Sequence, residues 1–270
     1  MAFNSYDNNL LPTDLEGTWQ QQRSFLFGDG HFTTAKVEQG KVVWLPAHIK
    51  RLEQANEILK FGRVNWSSLT ELMISKAKVI NEGILKVQLS RGQSVRGYQI
   101  SDNMTPCVFI YEMPQQLPAT KTLKQPIELA ILNTQIGLNP QLAGVKHCNR
   151  IEQSLIAHEL KERSIADGLV TNIEGHVIES SKANVFWFDG ANWHTPKLNL
   201  SGINGVAKNV IENHIPNLKN TDTNTESLLL NAKSMFVCNS IAGIIPVATL
   251  NGKTLNTALV TELHKKVFNE

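Results

Sequence analysis

Four groups of residues in this 270-residue chain are of types that do chemistry in proteins. Gly202-Ile203-Asn204-Gly205 runs into Val206-Ala207-Lys208-Asn209-Val210-Ile211, a helix-forming stretch, and free backbone amides at a helix start favour an anion such as phosphate. Every helix has such a start, so a simple capped helix explains the run as well. Arg51 falls on an expected helix and has the fork geometry for phosphate, but most arginines so placed are solvated charges. Glu179 ends an expected strand before Ser180-Ser181 and is either a buried carboxylate or a loop charge. Lys146 is one lysine among many, and spacing alone does not single it out.

Other chemistries are disfavoured. Cys107, Cys148 and Cys238 are an odd number of cysteines without CxxC spacing, which argues against a disulfide framework or a zinc site. The eight histidines include no HExxH pair, so no metal is expected. His147 and Cys148 are adjacent, and adjacent residues rarely face each other as base and nucleophile.

The elements that must position these residues follow from periodicity. Phe32 to Val37 and Lys41 to Leu45 read as a hairpin turning at Glu38-Gln39-Gly40. Ala47 to Phe61 reads as an amphipathic helix, with Ile49, Leu52, Ala55, Ile58 and Leu59 near helical spacing, and Ser67 to Ile80 as a second. Ile84 to Ser90 and Cys107 to Tyr111 read as strands. Met113 to Thr120 is polar, carries two prolines and forms the best linker in the chain. Beyond it, strands are expected over Ile127–Leu132, Gly168–Ile173, His176–Glu179, Ala183–Phe188 and Ser234–Val237, with helices over Asn149–Arg163, Gly205–His214 and Thr257–Phe268. The expectation is an α+β protein of two domains, 1–115 and 120–270, the second carrying Lys146, with a cleft between them where a small molecule would bind.

With 41% hydrophobic residues the chain is able to bury a real core. The net charge is +2, charged residues make up 19%, and no charge block points to nucleic acid or a membrane surface. The polar start lacks a signal-peptide pattern. The most apolar stretch, Met235 to Leu250, is interrupted by Asn239, Ser240 and Pro246 and is too short to span a bilayer. A cytoplasmic protein is expected.

The same positions line up with a family pattern in chain order. Arg23-Ser24-Phe25-Leu26-Phe27-Gly28-Asp29-Gly30-His31-Phe32-Thr33-Thr34 is followed by His48-Ile49-Lys50-Arg51-Leu52, then by Ser90-Arg91-Gly92 with Arg96-Gly97-Tyr98. Next come Leu142 to Arg150, with Lys146 at the centre, and Val177 to Phe186, with Glu179. Gly202 to Gly205 and Cys238-Asn239-Ser240 before Ile245-Pro246-Val247 complete the series. In these motifs the sequence resembles the fold-type IV pyridoxal-phosphate (PLP) enzymes, the class IV aminotransferases, from about Arg23 to the C-terminus. Phe27-Gly28-Asp29-Gly30-x-Phe32-Thr33-Thr34 and Lys146-His147-x-Asn149-Arg150 resemble a lyase branch more than the aminotransferases. The chain departs from the family at Gln22-Arg23, where Asp-Arg is usual, and before Glu16, where the usual opening strand is not recognisable.

The resemblance implies a two-domain fold of the D-amino acid aminotransferase type, with pyridoxal 5′-phosphate held as a Schiff base on Lys146. Glu179 would stand against the pyridine nitrogen, keeping it protonated so that the ring acts as an electron sink. Arg51, the amides of Ile203 and Asn204, and Ser240 with Asn239 would hold the phosphate. Thr34 would lie on the substrate face and assist proton handling. Arg96, Tyr98 and Phe27 would meet the substrate, and Arg150 with Asn149 would support the cofactor's oxygen side. Lysine suits its role: a desolvated amine is nucleophilic and, once freed, serves as base and acid at one carbon. A homodimer is also implied. The alternative within the family is an aminotransferase of D- or branched-chain amino acids. A non-catalytic PLP binder fits less well, because Lys146 and Glu179 together serve an electron sink that a binder does not need.

Overall fold

A computed structural model of the chain describes residues 2–7, 10, 19–93, 96–101 and 104–268. Two compact units result. The first comprises Met1–Leu117 with Lys146–Asn149, the second Pro118–Val145 with Arg150–Glu270. The division falls inside the expected linker. The four residues that begin with Lys146 pack with the first unit, however, while the chain on either side of them packs with the second.

The first unit contains β1 (Ala2–Tyr6), α1 (Arg23–Leu26), β2 (Gly30–Glu38), β3 (Lys41–Val42), α2 (Leu45–Ile58), α3 (Trp66–Ile80), β4 (Gly83–Ser90) and β5 (Cys107–Pro114). Its sheet runs in the order β1-β5-β4-β2-β3, with every pair antiparallel. Strict alternation decides which face is buried. Leu85, Val87 and Leu89 of β4 pack with Leu52 of α2 and with Leu69 and Met73 of α3. Phe32, Thr34, Lys86 and Tyr111 fall on the other face: Thr34 is opposite Lys86, and Lys86 is opposite Tyr111.

The hairpin turns where expected, because Gln39 and Gly40 both adopt positive φ, as a two-residue turn matched to strand twist requires. β3 is shorter than Lys41 to Leu45, since Trp44 turns left-handed into α2. α2 starts ahead of Ala47 because Pro46 suits a first helical turn, whose amide has no partner. It ends before Phe61, where Lys60 is left-handed. Asn65 caps α3, its Oδ1 accepting from Ser68 N at 3.1 Å. An opening strand does exist: Ala2–Tyr6 pairs antiparallel with β5. Residues 8–9 and 11–18, which carry the rest of the unfamiliar N-terminal segment, lie outside the described residues.

The second unit contains β6 (Ile127–Ile131), α4 (Ile151–Glu162), β7 (Gly168–Thr171), β8 (Val177–Ser180), β9 (Asn184–Phe188), β10 (Trp193–Pro196), α5 (Val206–Glu212), β11 (Lys219–Thr221), α6 (Thr225–Asn231), β12 (Ser234–Asn239), β13 (Gly243–Leu250), β14 (Lys253–Thr254) and α7 (Ala258–Phe268). Its sheet has the order β11-β10-β9-β12-β13-β6-β7-β8, with β14 beside β13. The apolar stretch from Met235 to Leu250 is two paired strands, β12 and β13. No helix among the described residues is long and apolar enough to cross a membrane.

Candidate active site

In the first unit, Lys146 is placed by backbone bonds alongside β2. Its carbonyl accepts from Phe32 N at 3.0 Å, and Cys148 N donates to Gly30 O at 2.8 Å. The Lys146 amine stands 4.8 Å from the centre of the Phe32 ring. Asn149 closes the segment by donating to Gly28 O at 3.3 Å. Gly28 has φ +65, and a Cβ there would meet Asn149 Oδ1 at 2.1 Å, so this turn needs glycine.

Lys86 shares this face. Its amine lies 4.8 Å from the Phe32 ring and 4.9 Å from the Tyr111 ring, and burial holds its pKa below the usual lysine range, with the Cys148 thiol acting in the opposite sense. Sequence reasoning passed over Lys86. The signal was present in the alternation of Ile84 to Ser90, which puts it beside Thr34, but it needed the strand pairing.

Thr33 points to the opposite, helix-covered face. Its Oγ1 lies 2.6 Å from His48 Nδ1 and accepts from Arg51 Nη1 at 3.4 Å. Burial lowers Arg51 to about 10, so it stays charged near neutrality. Burial, reinforced by Arg51, lowers His48 to about 3, so its ring is neutral.

Phe27 and Tyr98, both expected at the substrate, meet with ring centres 4.9 Å apart. Tyr98 and Arg96 belong to the exposed segment 96–101.

In the second unit, Glu179 is buried at the end of β8, and its Oε2 accepts from Ile203 N at 3.1 Å. Asp167 fixes the strand end next to it: Ser181 Oγ donates to Asp167 Oδ1 at 2.6 Å and Ser180 Oγ to Oδ2 at 3.2 Å. Gly144 N donates to Gly202 O at 2.9 Å and Asn204 N to Gly144 O at 3.0 Å, so the run leading to Lys146 is tied to the loop that holds Glu179. The amides of Ile203 and Asn204, expected on a phosphate, are thus both engaged with protein acceptors in this structure. Asn184 braces the loop through Nδ2 to Ile203 O at 2.7 Å. Gly202 has φ +84, and a Cβ there would come within 2.4 Å of Ile178 Cγ2, so glycine is obligatory.

Asn239 Oδ1 accepts from Ile241 N at 3.0 Å and Ala242 N at 2.8 Å, which shapes the turn that carries Ser240. Arg150 occupies the N-cap position of α4 without a side-chain cap bond. Among the described residues no cluster of histidine, cysteine, aspartate or glutamate is arranged to hold a metal.

The family model for amino-transferase class IV matches residues 30–250. The chain belongs to that family, and its cofactor is pyridoxal 5′-phosphate. It is 32% identical over 235 residues to an aminodeoxychorismate lyase of Vibrio harveyi, covering 85% of this chain and 86% of that one. It is 26% identical over 257 residues to a D-alanine aminotransferase of Bacillus licheniformis, covering 92% and 88%. Among solved structures, the 4-amino-4-deoxychorismate lyase of Pseudomonas aeruginosa superposes with a TM-score of 0.86 at 24% identity, covering 98% of each chain. An Escherichia coli branched-chain amino acid aminotransferase superposes with a TM-score of 0.83 at 16% identity, which shows the shared fold-type IV architecture.

Proposed function

We propose that this chain is a PLP-dependent carbon–oxygen lyase that converts 4-amino-4-deoxychorismate into 4-aminobenzoate and pyruvate. The observation that carries the reading is the 32% identity to the Vibrio harveyi lyase across 85% of the chain. The residues present suit the cofactor. A lysine amine stands over an aromatic ring, a buried arginine on α2 stays charged, and a buried carboxylate is held by a backbone amide. Lys146 would hold the cofactor, Glu179 its pyridine nitrogen, and Arg51 and Ser240 its phosphate.

When bound, the cofactor supplies an electron sink for the pair left on the amine-bearing ring carbon. Lys146 takes the proton from that carbon. The neighbouring carbon–oxygen bond breaks, enolpyruvate leaves and becomes pyruvate, and the ring becomes aromatic. Thr34, on the same face as Phe32, assists the proton at the departing oxygen. Lys86 and Arg96 offer cations to the two carboxylates of the substrate, and Tyr98 with Phe27 packs against it.

We further propose a cytoplasmic homodimer that supplies 4-aminobenzoate to folate synthesis. A dimer is supported by Trp19, Phe25, Leu26, Tyr98 and Ile100, which are among the apolar residues exposed on the first unit. The D-alanine aminotransferase likeness favours a second reading, transamination of D-amino acids. Incubating the purified protein with 4-amino-4-deoxychorismate separates the two. The lyase releases 4-aminobenzoate and pyruvate with no keto-acid present. Activity that requires 2-oxoglutarate or pyruvate, with the cofactor ending as pyridoxamine phosphate, would overturn the lyase in favour of the aminotransferase.

A further inference from the structure

Arg23 is almost wholly buried, at 4% exposure, at the start of α1. Its Nε pairs with Asp29 Oδ2 at 2.7 Å. Its Nη1 donates to the carbonyls of Gly97 and Gln99, each at 3.2 Å, and Nη2 lies 3.4 Å from Tyr98 O. Three consecutive carbonyls therefore converge on one guanidinium.

The clamp is braced from behind. Asp29 Oδ2 also accepts from Arg91 Nε at 2.8 Å, and the other nitrogens of Arg91 donate to Lys60 O and Leu59 O, both at 2.7 Å. Burial raises the Asp29 pKa, but hydrogen bonds from Arg91 and Arg23 outweigh it and leave the carboxyl below its usual range. The Arg23 guanidinium carbon lies 5.1 Å from the centre of the Phe27 ring, the ring that meets Tyr98.

Converging carbonyls repel one another unless a cation lies between them, and arginine is the one side chain with enough fixed donors to serve an acid and several carbonyls together. The bonds go to backbone, so what they set is the path of the chain. Gly97 takes φ +52 in this segment, and Gln99 N closes it on Arg96 O at 3.3 Å.

We propose that Arg23 is a positioning residue for substrate binding: by gathering the carbonyls of Gly97, Tyr98 and Gln99 it sets the directions in which Arg96 and Tyr98 meet the substrate. This rests on the reading that Arg96 and Tyr98 contact 4-amino-4-deoxychorismate. Arg23 acts through that backbone, since the bonds above go to Asp29 and to carbonyls.

The test compares steady-state lyase kinetics of the holoenzyme for Arg23→Gln, Arg23→Lys, Arg96→Ala and the double variant Arg23→Gln/Arg96→Ala. Misplacing a binding group by about an ångström costs on the order of a hundredfold. Arg23→Gln is therefore expected to raise KM by roughly tenfold to a hundredfold, with kcat and the bound-cofactor absorbance little changed. Arg23→Lys keeps one charge and should recover part of the loss. In the Arg96→Ala background, Arg23→Gln should add at most about twofold, since residues that act through one another do not add. Trypsin should cut after Arg96 faster in Arg23→Gln than in wild type, a readout that needs no substrate.

An unchanged KM in Arg23→Gln, a loss shared equally by kcat and cofactor content, or full multiplication with Arg96→Ala would overturn the proposal. An Arg96→Ala variant with normal KM would instead sink the substrate reading of that segment, and this inference with it. If Arg23→Gln does not fold, Arg23→Lys decides by the same KM and proteolysis measurements.

Discussion

The segment that carries Lys146 and the strand end that carries Glu179 are built by different means. The Lys146 segment is fixed at its backbone, by Phe32 N donating to Lys146 O and Cys148 N to Gly30 O, and the Lys146 amine stands 4.8 Å from the centre of the Phe32 ring. Glu179 is fixed at its side chain, by the Ile203 amide, on a strand end that Asp167 holds through Ser180 and Ser181. The difference matches the tasks proposed for them. A group that must leave the cofactor and return carrying a proton needs its place on the chain set, and the backbone bonds to β2 set it. A group that must stabilise charge at one place needs its geometry set in advance.

The comparison breaks most sharply at Lys146. Lys146→Ala is expected to lower turnover by roughly 10⁴-fold or more, the scale of losing a central catalytic group. Borohydride should no longer fix the cofactor to the peptide containing position 146. Labelling of another lysine in wild type would show that the amine was misassigned. Glu179→Gln should keep the fold and much of the cofactor while kcat falls on the order of a hundredfold, because one preorganised electrostatic contact is worth about 3 kcal/mol. Near-normal turnover would mean that the carboxylate serves only the loop.

The two adjacent threonines sharpen the contrast within one strand. Thr34→Val should cost about tenfold to a thousandfold in turnover, as removal of an assisting proton-handling group does, and leave cofactor affinity nearly unchanged. Thr33→Val lies on the face with His48 and Arg51, and should instead lower stability by about 1–3 kcal/mol, because the buried His48 Nδ1 loses its partner. Urea midpoints and kcat measured on both variants test the separation, and exchanged effects would mean that the faces of β2 are misassigned.

A further effect concerns acid. Burial is the main cause that holds His31 at about 4 and His48 at about 3, both below the ordinary 6.5. A histidine whose folded pKa is depressed binds its proton first in the unfolded chain. Its stabilising contribution is therefore complete above pH 6.5 and is lost as pH falls from there toward the folded value, at up to about 1.4 kcal/mol per pH unit for each ring. Denaturant midpoints should fall between pH 6.5 and 4, and His48→Gln should flatten the slope. An equal slope in wild type and variant would rule His48 out as its source.

Much of the first unit was legible in the sequence because its elements are long and periodic. β4 alternates cleanly and α3 repeats its apolar residues at helical spacing, so neither depended on distant partners. The second unit was read less completely. β10, β11, β14 and α6 are short, at 4, 3, 2 and 7 residues, and pairing across the sheet, which local pattern does not encode, holds the strands. The candidate site was legible only as a family pattern. Local physics left Lys146, Glu179 and Arg51 as one residue each among many of their kind.

By itself, then, the sequence determined the α+β class, the hairpin at Gln39-Gly40 and, through its ordered motifs, the family and cofactor. Those depend on local backbone preference and on residue identity in order along the chain. Only the tertiary structure decided that Lys146 packs with the first unit, that Lys86 stands beside the same Phe32 ring, that the Ile203 amide holds Glu179, and that Arg23 gathers the carbonyls of residues 97–99. Each joins residues more than twenty positions apart. Such contacts form only when loop closure is offset by burial and hydrogen bonding summed over the whole fold, and no window of sequence contains that sum.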